Sequence, residues 1–143
     1  MSLLDRFPYS PTSKLFAQRV LEFDQARGWA RIGFEAGSAL LNPAGFVQGG
    51  ILTAMLDDTM GPALWFMTSG KAFPVTIDAN TSFFASTKPG PLVGEGQVLQ
   101  LGETVAFLQG ELRDAKGRLI ARSTASARVV RVTTTRDWPI VQL

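Results

Sequence analysis

Along most of this chain apolar and polar residues alternate, but between residues 49 and 68 the period changes. There Ile51, Leu52, Met55, Leu56, Met60, Ala63, Leu64 and Met67 return every three or four positions, which is the spacing of a helix. Apolar residues cover most of its circumference, so this helix is predicted to be buried on most sides. Pro62 inside it lacks a backbone donor and crowds the carbonyl of Asp58, and a kink or early end is expected there. Before the helix, Ala30, Ile32 and Phe34 alternate with Arg31, Gly33 and Glu35. Two antiparallel strands are predicted from Val20 onward, ending at Asn42-Pro43-Ala44-Gly45. After Gly70, Val75, Ile77, Ala79, Thr81 and Phe83 fall on one face of a strand and Thr76, Asp78, Asn80 and Ser82 on the other. Two long runs follow, at 92–101 and 104–113, and Asp114-Ala-Lys-Gly117 turns the chain into a last strand at 119–132. Residues 1–15 read as an N-terminal arm, extended or forming a short irregular helix, and 133–143 as an irregular tail. The whole, 1–143, is predicted to be one domain of the α+β class, with an antiparallel sheet of five to six strands wrapped around a single apolar helix. Its exposed sheet edges favour pairing with a second copy.

Composition narrows the chemistry. The 143 residues include no histidine and no cysteine. That excludes Ser-His and Cys-His pairs, an imidazole base, thiolate nucleophiles, disulfides and histidine- or cysteine-ligated metals. Catalysis by this chain has to use carboxylates, hydroxyls, amides, lysine, arginine or backbone N–H groups, and no metal site or redox cofactor is expected. The net charge of +2 does not suggest nucleic acid. The basic residues Arg113, Lys116, Arg118, Arg122, Arg128 and Arg131 are spread along two strands and form no single predicted face. Neither an apolar run of spanning length nor an export signal is evident, so a cytoplasmic protein without membrane contact is expected.

Two features stand out as candidate chemistry. Gly49-Gly50 lies where a loop becomes a helix, so unpaired N–H groups and the positive helix end converge on anything bound there. Asp57 and Asp58 lie in an otherwise apolar helix, where an unpaired buried carboxylate costs several kcal/mol. Asp57 is expected to face a cleft. Asp58, about 100° further round, is expected to face elsewhere and to serve the local backbone near Pro62.

The run Asn42-Pro-Ala-Gly-Phe-Val-Gln48-Gly49-Gly50-Ile-Leu-Thr-Ala-Met-Leu-Asp57 resembles the hotdog-fold acyl-CoA thioesterases, in their PaaI-like and 4-hydroxybenzoyl-CoA thioesterase branch. That family has Asn or Gln, then His-Gly-Gly six residues on, then Asp or Glu nine residues after the histidine. The spacing is kept here, with Gln48 in place of the histidine. The resemblance runs through Val75-Thr-Ile-Asp-Ala-Asn80, Lys88-Pro-Gly90 and Asp114-Ala-Lys-Gly117, and covers about residues 20–130. It implies hydrolysis of acyl-CoA thioesters to free acid and coenzyme A by a homodimer, with pairing into a homotetramer, and with coenzyme A present only as part of the substrate. By resemblance Asp57 is the carboxylate that activates water or attacks the thioester, and Gly49 polarises the carbonyl. Gln48 and Asn42 add amide donors, and Thr76 helps hold water with Asp57 across the dimer interface. Gly50, Lys88, Pro89, Gly90 and Arg128 are the implied substrate-binding residues. Trp65, Phe66, Phe73, Phe83 and Phe84 are read as core or acyl-pocket lining. The alternative function is a non-catalytic protein that binds or senses acyl-CoA, because an amide at position 48 donates hydrogen bonds but cannot shuttle protons.

Overall fold

The computed structural model describes residues 1–132, so the predicted tail at 133–143 lies outside the described residues. Six antiparallel strands form one sheet: β1 (Arg19–Asp24), β2 (Trp29–Ala36), β3 (Ala72–Phe83), β4 (Gly90–Leu101), β5 (Val105–Asp114) and β6 (Leu119–Arg131). Their order across the sheet is β1-β2-β4-β5-β6-β3. A short α1 (Pro11–Leu15) precedes them, and the long α2 (Gly49–Met67) crosses the concave face. The α+β sheet-around-helix prediction holds, with six strands.

The sheet wraps closely around α2 because β4 and β5 offer glycine where the helix passes. A Cβ at Gly94 would collide with the Thr59 hydroxyl, and one at Gly96 with the Thr59 backbone carbonyl. Thr59 itself is fully buried and donates from Oγ1 to the Met55 carbonyl at 2.7 Å, so its polar atom is satisfied within the helix. Around this contact Met55, Leu56, Met60, Leu64 and Phe66 of α2 pack on Ile32, Phe34, Leu92, Leu108 and Leu112. Burying one such side chain is worth about 1.5–3 kcal/mol.

Pro62 does not end the helix, which continues to Met67. The carbonyl that proline leaves without an intrahelical donor, that of Asp58, accepts instead from Gln18 Nε2 at 2.8 Å. The N-terminal arm, predicted at 1–15, extends to Gln18, immediately before β1. The arm contains a short turn at Leu4–Arg6, then α1, capped by Ser10 and Ser13 reciprocally. Ala17, at φ 50°, turns the chain from the arm into β1.

The predicted two-face alternation of β3 does not survive. The register slips between Thr76 and Asp78, and residues 76–80 are exposed throughout. One bulge of this kind reverses which face each later residue occupies. β3 lies at the sheet edge with β6 as its one strand partner among the described residues, and Ile77, on this edge, is 63% exposed.

Candidate active site

Asp57 stands in the middle of α2 with its side chain exposed, despite the apolar run around it. Thr76 of β3 donates from Oγ1 to Asp57 Oδ1 at 2.7 Å. These two predicted residues therefore meet within one chain, and not across a subunit boundary.

Beside Asp57 opens a cavity of about 190 Å³ whose walls are Trp65 and Pro62 of α2, Phe73 and Pro74 of β3, and Phe7, Pro8, Ser10 and Ser13 of the arm. Asp58 lines the same cavity, which corrects the expectation that it faces elsewhere: the opening is wide enough to reach both acids, because the arm extends the cavity round the helix. Its expected service to the local backbone is supplied by Gln18. Burial pushes the Asp58 carboxyl up to about 6, the Asp57 charge pushes in the same direction, and a hydrogen bond from the Thr12 side chain opposes both.

The loop-to-helix junction has the predicted character. Gln48 is the N-cap residue, and its carbonyl accepts from the Ile51 and Leu52 N–H groups. Among the described residues the Gly49 and Gly50 N–H groups find no acceptor, and the exposed Gln48 amide has no partner. Asn42 is committed differently. Its Oδ1 accepts from Ala44 N at 3.0 Å and from Phe46 N at 3.1 Å, holding the turn that Gly45 closes at φ 86°. Its carbonyl oxygen is thus a turn-forming group, although the residue still borders the groove beside Gly49.

That groove, about 350 Å³, runs between Asn42, Gly49, Leu52 and the exposed ring of Phe84. It shares Phe46, Ala85 and Ser86 with a larger recess of about 760 Å³ that holds Lys88, Pro89 and Gly90. Lys116 and Arg118 line this recess as well, residues that the sequence reading placed only in a basic run. Arg118 is oriented there by Asp114 Oδ2 at 3.3 Å and by the Ser86 carbonyl at 2.9 Å. Arg128 does not join them. It is exposed on β6 opposite Val75, and ten residues of strand put it about 33 Å from Arg118.

Two separate regions thus emerge within one protomer. Asp57 lies eight residues beyond Gly49, or about 12 Å along the helix and roughly 80° around it. One carbonyl carbon cannot touch both. Of the other aromatics, Phe66 is core, while Phe83 and Phe84 are half exposed beside Gly49.

The fold is that of a PaaI-like hotdog thioesterase, and comparison with known proteins agrees. A profile of the thioesterase superfamily matches residues 44–121, and the chain belongs to that family. It is similar to a solved structure from Ralstonia eutropha JMP134, provisionally named a thioesterase and phenylacetic acid degradation-related protein. The TM-score is 0.81 at 30% identity over 88% of this chain and 95% of that one. A curated protein of Saccharolobus solfataricus, provisionally named an esterase, is 29% identical over 82% of each chain. A Streptococcus mutans structure with acetyl-CoA bound shares the fold at TM-score 0.68 and 21% identity, over 78% of this chain and 87% of that one. Among the described residues, no helix is long and apolar enough to cross a membrane.

Proposed function

We propose that this protein hydrolyses acyl-CoA thioesters, with each active site shared by two copies of the chain. The observation that carries this reading is the carboxylate of Asp57, held by the Thr76 hydroxyl at the mouth of an aromatic-lined cavity in a thioesterase-family chain. What that carboxylate lacks in its own protomer is an electrophile-polarising group, because the free Gly49 N–H is about 12 Å away. A second protomer adding its β3 to the open β3 edge brings its own helix start toward Asp57 and completes the site.

In this arrangement the thioester oxygen sits against the Gly49 N–H and the Gln48 amide of the second copy. Asp57 takes a proton from water as the water oxygen bonds to the carbonyl carbon. The oxyanion formed is stabilised by the two donors, each such donor being worth about 3–4 kcal/mol. Collapse breaks the C–S bond, and the proton held on Asp57 passes to the departing sulfur. Gln48 supplies polarisation only, so the absence of histidine does not interrupt the proton path. The recess of Lys88, Lys116 and Arg118 suits the phosphates of coenzyme A, and the Streptococcus mutans neighbour with acetyl-CoA is consistent with that ligand.

The test is thiol release from a panel of acyl-CoAs. Asp57→Asn is expected to lower kcat by about 10³-fold or more. Gly49→Pro removes one N–H at a helix position where proline is well tolerated, and it should cost about 100-fold. Co-expressing the two variants should restore about a quarter of native activity, because half of the dimers are mixed and each of these has one intact site. No restoration on mixing overturns the shared site. Coenzyme A binding without thiol release from any thioester identifies a binding protein instead.

A further inference from the structure

We propose that the N-terminal arm is the end wall of the acyl pocket, and that Phe7 sets the length of acyl tail the protein accepts. This deepens the thioesterase reading and rests on it.

The cavity beside Asp57 offers a tail room to extend once the thioester carbonyl is placed at that carboxylate. Two of its walls belong to the sheet and helix, but the third is Phe7, Pro8, Ser10 and Ser13. Phe7 is held by rings: it stacks on Phe66 at 5.6 Å between centroids and meets the edges of Trp65 at 5.4 Å and Tyr9 at 4.9 Å. The arm is also fastened at defined points. Ser13 Oγ donates to Gln18 Oε1 at 2.6 Å, and Gln18 Nε2 donates to the Asp58 carbonyl at 2.8 Å. Further along, the Phe16 carbonyl accepts from Glu35 N at 2.9 Å and its ring is buried. The tie at Asp58 exists only because Pro62 leaves that carbonyl open, so the arm is anchored one residue from the reacting carboxylate.

Size then gives the selectivity. A cavity near 150 Å³ holds benzene, so about 190 Å³ takes one ring or a chain of about six carbons before meeting Phe7. Gln18 lines the same cavity, and its two hydrogen bonds, one accepted from Ser13 and one donated to the Asp58 carbonyl, fix how far the wall stands from Asp57.

The experiment compares straight-chain acyl-CoAs from butanoyl to hexadecanoyl in the native protein, Phe7→Ala and Gln18→Leu. The ratio of kcat/KM for dodecanoyl to hexanoyl thioester is expected to rise at least tenfold in both variants. A ratio is independent of the fraction of protein folded, so partial unfolding cannot imitate the result. An unchanged ratio in both variants overturns the proposal. Should the native protein release no thiol from any substrate, the same series of free carboxylic acids, followed by Trp65 fluorescence against a Trp65→Phe control, reads the pocket alone. A longer limiting acid in the variants then supports the wall even though hydrolysis has failed, and an equal limit or no binding overturns it.

Discussion

β4 and β3 have equal length, twelve residues each, and opposite fates. β4 lies inside the sheet between β2 and β5, and it gives up side chains at Gly94 and Gly96 so that Thr59 and Met60 of the helix can press against its backbone. β3 lies at an edge, is exposed over residues 76–80, and carries the threonine that holds the candidate catalytic carboxylate. One strand is committed entirely to its own chain. The other is only half used by it. The contrast separates where stability resides from where activity resides, and three substitutions test that separation.

Gly96→Val should have the largest effect. Its new side chain meets a helix backbone carbonyl that cannot rotate away, so a loss of about 3 kcal/mol or more is expected in urea unfolding. Ile77→Lys should leave protomer stability within about 1 kcal/mol, since the side chain is already in water in the single chain. The same substitution places like charges against each other where two β3 edges pair, so light scattering should show a monomer and thiol release should fall at least 100-fold. A dimeric, active Ile77→Lys protein would break the contrast.

Asp58→Asn gives the smallest change, and a pH-dependent one. The folded carboxyl titrates near 6 against 3.8 when free, so the folded state holds this proton more tightly. Native stability then declines between about pH 4 and pH 6 and stays at the lower level above it. Asparagine removes the charge, and should stabilise the protein by about 1–2 kcal/mol at pH 8 while changing little at pH 3.5.

The helix, β2 and β3 were legible from periodicity, because burial imposes a period of 3.6 on the helix and of two on half-buried strands, and β4 to β6 were legible as long runs bounded by turn residues. β3 was legible as a strand but not as faces, since a bulge leaves no signature in alternation. Asp57 and Thr76 were singled out through the family resemblance, and the structure brings them within hydrogen-bond distance of each other. Asp58 was misplaced because rotation about a helix axis says nothing about how far a neighbouring segment carries a cavity around it. Gln18 was missed for another reason: its partner is a backbone carbonyl 40 residues away, freed by a proline, and no local pattern links the two. At Asn42 the side-chain oxygen holds a turn, while the residue still lines the groove beside Gly49. Arg128 was singled out on β6, whereas Lys116 and Arg118, which line the recess with Lys88, were read only within a basic run.

Pro62 also bears on the order of events as the chain is made. The socket that receives the Gln18 amide does not exist until the ribosome has passed position 62 and the surrounding turns have wound. The segment that carries Gln18 is thus made before its own seat, and it can dock only once that stretch of helix is in place.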